Sequence, residues 1–209
     1  MLKKNCKCDS KTDVSIKNKD KDIEDKLVKA QIKSTKRPAW DEYFMNIAKD
    51  VSLRSTCLST HYGAVVTKNN QIMSTGYNGA PHGTKDCYQR GYCIRRKLNV
   101  PSGERYELCA SVHAEQNAII NAAKQNLDIS GGTLYLYGIM VYKGVKQEID
   151  SFPCFICKKM IINASLEKIV CSTKKGTFMS FAVSDWIKEW QTNDIILVND
   201  KNKYHTEYL

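Results

Sequence analysis

Along the chain, the spacing of apolar positions changes in a way that separates helices from strands. Trp40, Phe44, Ile47, Ala48 and Val51 recur three and four residues apart just after Pro38, a residue suited to a first helical turn, and predict a helix. Tyr62–Thr67 and Gln71–Thr75 are short apolar runs joined through Asn69-Asn70, the pattern of a β-hairpin. Gly76-Tyr77-Asn78-Gly79 reads as a loop, and residues 80–110 are polar with no clear period. A stretch that long is unusual inside a domain and is often functional or held by something. Helical spacing returns from His113 to about Gln125, with Ala114, Ala118, Ile119 and Ala122 inside. Thr133–Tyr137 reads as a strand and Gly138–Phe152 as irregular. Cys154–Ala164 is an expected helix entered after Pro153. A strand at Lys168–Cys171, a helix at Met179–Trp190 and a strand at Ile195–Val198 complete the pattern. This alternation predicts an α/β layered sheet.

Residues 1–36 stand apart, with eleven Lys against six acidic residues and few large apolar side chains. They are expected to form a basic, disordered tail, or a fraying helix around Ile23 to Ile32, ahead of a domain at 37–209. A nucleic-acid arm is the alternative. The net charge of +10 fits nucleic acid and phosphorylated small molecules alike. No apolar run approaches the ~20 residues that span a bilayer, so no membrane partner is expected. The opening Met1-Leu2-Lys3-Lys4-Asn5 lacks the apolar core of a secretory signal. The expected location is therefore cytoplasmic, where disulfides do not account for nine cysteines. Metal ligation is the first expectation for them.

Two short motifs carry chemistry: His113-Ala114-Glu115 and Pro153-Cys154-Phe155-Ile156-Cys157. Cys154 and Cys157, three apart at a helix start, share a face, and the helix dipole favours their thiolates. With His113 they make a Cys2His set for Zn2+ that leaves a fourth position open, as catalytic zinc sites do. Glu115 points elsewhere on its helix and is free to move protons beside a zinc-activated water. Each motif alone also fits a capping histidine or a structural zinc knuckle. Their combination is the signature of zinc nucleobase deaminases.

Over residues 37–198 the chain resembles the deoxycytidylate deaminases of the cytidine deaminase superfamily. The resemblance rests on Arg37 to Met45, Arg54-Ser55-Thr56-Cys57, Gly63-Ala64-Val65, Gly76-Tyr77-Asn78-Gly79-Ala80-Pro81 and His113 to Ile119. It implies a three-layer α/β/α sandwich around a mixed five-stranded sheet, and hydrolysis of dCMP to dUMP and ammonia. It assigns His113, Cys154 and Cys157 to zinc, Glu115 to proton transfer and Asn78 to the sugar side of the substrate. It also implies a homo-oligomer, often a hexamer, and control by dCTP and dTTP with Mg2+. The segment Gly138–Phe152 departs from the family, whose members pass almost directly from the third strand to Pro-Cys.

Arg54 and Arg105 are the candidate partners for a substrate phosphate. Cys57, Cys87, Cys93 and Cys109 form a candidate closed structural site for a second zinc, with His82 able to replace one sulfur. The alternative for Cys57 and Cys109 is buried packing. Two rival functions remain: a deaminase of a base in RNA or DNA, such as a tRNA adenosine deaminase, and a non-catalytic zinc-stapled nucleic-acid-binding module. The second gives Glu115 no task, and no aromatic-rich basic stripe accompanies it, so a nucleic-acid partner is not the expectation.

Overall fold

The computed structural model describes residues 21, 23–30, 37–101 and 103–192. The chain divides into two units, Met1–Ala39 and Trp40–Leu209. In the first, residues 23–30 are helical and exposed, within the helix expected around Ile23 to Ile32. The rest of the expected tail lies outside the described residues, as does the strand expected at Ile195–Val198.

In the second unit, α1 (Trp40–Ser52) buries Phe44, Met45, Ala48 and Ser52. β1 (Thr60–Lys68) and β2 (Gln71–Tyr77) form the expected hairpin, with Asn69 and Asn70 both at positive φ in the turn. The aperiodic stretch that follows contains two single-turn helices, α2 (Cys87–Arg90) and α3 (Ile94–Lys97). Asp86 and Gln89 cap α2 reciprocally, and Gly91 ends it in the left-handed region. Next come α4 (Ala114–Lys124), β3 (Thr133–Met140) and β4 (Gln147–Glu148). α5 (Phe155–Asn163), β5 (Lys168–Ser172), β6 (Phe178–Ala182) and α6 (Val183–Thr192) complete the described fold.

The strands form one mixed sheet in the order β2-β1-β3-β5-β6, with β4 pairing to β3. β3 and β5 are parallel and the other pairs antiparallel. Side chains alternate across a strand, so neighbours in sequence feed different cores. Val65, Tyr135, Tyr137 and Val170 pack under Phe44, Met45 and Ala48 of α1. Ala64, Val66, Leu134, Leu136, Ile169 and Cys171 pack against Ala114, Ala118, Ile161 and Trp186 of α4, α5 and α6. Three layers result.

Three expectations change. Phe178–Ala182 is a strand, and only Val183–Thr192 is helical. Spacing alone does not separate a short apolar run from a helix start, and here the run supplies backbone partners to the edge of β5. Gly138–Phe152 is not wholly irregular. β3 continues to Met140, Lys143 and Gly144 turn at positive φ, and Gln147–Glu148 pairs back on Ile139 and Met140. Gly76 and Tyr77 end β2 rather than open a loop.

Glycine allows two helix–sheet approaches. A Cβ on Gly63 would lie 2.0 Å from the Ala48 carbonyl of α1, and one on Gly76 would lie 2.3 Å from the Ala118 amide of α4. Ser74 Oγ donates to Ala118 O, while Asn117 and Asn121 donate to the β2 carbonyls of Tyr77 and Thr75. α4 is thereby fixed against the sheet along its length.

Candidate active site

α4 and α5 cover the same face of the sheet, and their first residues converge. His113 precedes α4 with extended backbone, and its N–H donates to Gln116 Oε1 at 3.0 Å. Cys154 precedes α5 in the same way. The segment before α5 is tied down by Ser151, whose N–H and Oγ both donate to Ser172 O. His113 Nδ1 lies 3.4 Å from Cys154 Sγ and 3.3 Å from Cys157 Sγ. The three ligand atoms all fall within 4.8 Å of one another. Two thiols and one imidazole nitrogen in this arrangement are a donor set that fits zinc.

The electrostatics suit a cation there. The Cys157 thiol hydrogen-bonds to Cys154 and, with His113 nearby, pushes the Cys154 pKa well below the ordinary thiol value. The same contact with Cys154, together with burial, pushes Cys157 up. Both sulfurs become thiolates when they bind a metal. Burial opposes charge on His113, but its contact with Cys154 and the charge of Glu115 outweigh that and raise its pKa. Glu115 is only 4% exposed, and burial raises its pKa. Its carboxyl also meets the Cys157 thiol.

A cavity of about 230 Å³ opens beside this cluster, lined by His113, Glu115, Cys154, Asn78, Tyr62, Thr60 and residues of the aperiodic stretch. Asn78 is buried, accepting from Tyr62 N at 2.8 Å and donating to Thr60 O at 2.9 Å. It braces the start of β1 and keeps one lone pair and one N–H beyond those bonds.

Arg54 and Arg105 are not brought there. Both are exposed and neither lines the cavity; Arg105 pairs with Glu107. Arg95 and Arg96 line it instead, together with Tyr106, whose ring meets the His113 ring edge-on at 4.9 Å. Phe152, from the end of the segment that departs from the family, is part of the wall. Tyr142 of the same segment stacks under Arg96, 3.5 Å from guanidinium carbon to ring centroid. No motif or period marks these residues. The one signal in the sequence is the basic run Arg95-Arg96-Lys97 inside a stretch with no period.

The four cysteines of the candidate second site, Cys57, Cys87, Cys93 and Cys109, gather on this side. Cys57 and Cys87 are buried, and Cys57, Cys93 and Cys109 line the cavity. Burial first, and then the neighbouring thiols, raise the pKa of Cys87 to about 11 and that of Cys57 above its ordinary value. No three of these sulfurs come within 4.8 Å of one another, and His82 is exposed.

A family model for the cytidine and deoxycytidylate deaminase zinc-binding region matches residues 38–173. The deoxycytidylate deaminase of Mycobacterium phage D29 is 37% identical over 139 residues, which cover 64% of this chain and 94% of that protein. The deoxycytidylate deaminase of Schizosaccharomyces pombe is 31% identical over 151 residues, 71% of this chain but 42% of the yeast protein. This chain thus spans less than half the length of that longer relative. The solved apo structure of dCMP deaminase from cyanophage S-TIM5 is 29% identical, with a TM-score of 0.45 over 64% of this chain and 82% of that one. The match to the family model runs from the entry to α1 through β5 and takes in both converging helix starts, and the chain belongs to the cytidine and deoxycytidylate deaminase family.

Proposed function

We propose that this protein hydrolyses dCMP to dUMP and ammonia. The observation that carries the reading is a buried carboxyl, Glu115, at the floor of a cavity and beside a His/Cys/Cys cluster. The phage and yeast relatives are deoxycytidylate deaminases, which supports the nucleotide substrate. His113, Cys154 and Cys157 would hold zinc. When bound there, zinc supplies the Lewis acidity that makes a hydrolytic nucleophile available near neutral pH.

The chain's own residues do the rest. Glu115 takes one proton from the attacking water and delivers it to N3 of the cytosine ring. It then takes the second from the hydroxyl now on C4 and delivers it to the amino group, whose bond to C4 breaks as ammonia leaves and the C4 carbonyl forms. Burial suits this task, because it keeps bulk water from competing for the protons that Glu115 carries. Asn78 keeps one donor and one acceptor position for the sugar. Tyr62, Tyr106 and Phe152 supply aromatic walls against which the base can pack.

Cys57, Cys87, Cys93 and Cys109 are read as ligands of a second, structural zinc, which would draw their sulfurs closer together and hold residues 80–110 beside α4. Residues 37–209 are read as the catalytic domain behind a basic N-terminal segment. Homo-oligomer formation and control by dCTP or dTTP with Mg2+ belong to the same reading. Sedimentation and activity measured with and without each triphosphate test them.

The deciding experiment measures ammonia release from cytosine, cytidine, deoxycytidine, CMP, dCMP and tRNA. The highest kcat/KM is expected for dCMP. Turnover of tRNA with none of free nucleotides would overturn the reading.

A further inference from the structure

Two arginines of the cavity wall have no task in the chemistry above. Among the described lining residues, Arg95, Arg96 and His113 are the side chains able to carry positive charge. They differ in what they are free to do. Arg96 is exposed, donates from Nε and Nη2 to Ser59 Oγ, and lies against Tyr142. Arg95 is partly buried. Its Nη2 donates to Pro101 O at 2.8 Å, and its guanidinium carbon is 4.7 Å from the centroid of the Tyr106 ring. Since Tyr106 in turn packs on the His113 ring, the guanidinium is held in a set position relative to the His/Cys/Cys cluster.

Arg95 Nε is the one buried side-chain polar atom among the described residues without a hydrogen-bond partner. A buried N–H left unpaired is unfavourable, and native structures keep such atoms rarely and usually for a reason. A guanidinium with its plane already fixed is preorganised for phosphate oxygens. The rest of the cavity offers an anion hydroxyls, thiols and, at its floor, the carboxyl of Glu115, which would repel it.

We infer that Arg95 is the residue that receives the 5′-phosphate of the nucleotide and makes the site prefer a monophosphate to a nucleoside. This rests on the reading of the cavity as a dCMP deaminase site. The base lies at the Glu115 end, and the phosphate lies toward Arg95, with Arg96 adding long-range attraction while its donors stay on Ser59. Arg54 and Arg105 have no part in it.

The test is the ratio of kcat/KM for dCMP to that for deoxycytidine in the full-length protein and two variants. A lost charge-assisted hydrogen bond costs about 1.5–3 kcal/mol, so Arg95→Gln should lower that ratio about 10- to 100-fold. Arg95→Lys, which keeps the charge but not the planar fork, should fall between. A change that merely loosens the loop lowers both rates together and leaves the ratio standing, which overturns the inference. If Arg95→Gln does not fold, an undiminished ratio in Arg95→Lys overturns it as well. Failure of the functional reading looks different: the unaltered protein would then turn over deoxycytidine or another substrate but not dCMP.

Discussion

The cavity has two walls of different construction. One is made of helix starts: His113, Glu115, Cys154 and Cys157 stand at the first turns of α4 and α5, whose bodies are buried against the sheet. The other comes from residues 80–110, where the helices are four residues long and most side chains are exposed. Elements anchored along their whole length hold reacting groups to within fractions of an ångström, which proton transfer demands. The aperiodic wall is held by a capping box and by arginines laid on tyrosine rings. It contributes arginine and tyrosine to the cavity lining, and in the proposed reading these choose the substrate while the acid and base of the chemical step come from the first wall. Changes to the first wall should alter the rate for every substrate, and changes to the second should alter choice of substrate and local order.

The largest effect should come from the first wall. Glu115→Gln is expected to keep zinc and lose about 10²–10⁴-fold in kcat, the ordinary contribution of acid–base catalysis. Zinc content measured beside turnover checks it, and activity within a few-fold of the unaltered protein would remove Glu115 from the mechanism. Cys154→Ser should release the zinc held by His113, Cys154 and Cys157, read by elemental analysis, while any zinc on the four cysteines of the second wall should stay.

On the second wall, replacing Cys87 and Cys93 together by Ser should remove one of two zinc ions per chain. It should also expose residues 80–110 to limited proteolysis. One zinc per chain, unaltered by the double change, would show that the wall is held without metal. Beneath both walls, Leu136→Ala removes a fully buried side chain of the core that carries α4 and α5. It should cost about 2–5 kcal/mol of stability, measured by denaturant unfolding.

The smallest effect lies far from either wall. Lys68 Nζ lies 2.7 Å from the Asp128 carboxylate, and the pairing holds that carboxyl well below its ordinary pKa. A depressed carboxyl pKa stabilises the fold in full above the unfolded value, about 3.9 for Asp, and that contribution is lost progressively as pH falls from there through the depressed folded value. Lys68→Ala should therefore reduce stability slightly at neutral pH and by less at about pH 2, where part of the contribution is already lost. High salt should blunt the neutral-pH effect, because the pair is exposed. Unfolding curves at the two pH values decide it.

Much of the fold was legible because burial on one face imposes a period. The α1 spacing from Phe44 to Val51, the Asn69-Asn70 hairpin and the helix after His113 all appear where the pattern places them. β6 was hidden. Its five residues run straight into α6, and only the free edge of β5 makes them a strand. The Gly138–Phe152 excursion was hidden for a related reason: a two-residue strand has too few positions to show a period.

The site divides the same way. His-x-Glu and Cys-x-x-Cys are local patterns, so the sequence alone determined which side chains could ligate zinc and which could move a proton. Gly63 and Gly76 were legible as motif letters, but their reason is spatial: the helix backbones lie where a Cβ would stand. Choosing between Arg54 or Arg105 and Arg95 was beyond any local pattern. A lone arginine carries no period, and whether it faces solvent or a cavity depends on contacts between segments remote in sequence. Only the packing of Tyr106 on His113, of Arg95 on Tyr106 and of Tyr142 on Arg96 decided which basic side chains line the cavity. Local chemistry is written in neighbouring residues because a helix start presents them together; the rest of the cavity wall is assembled by long-range packing, and only the tertiary structure decided it.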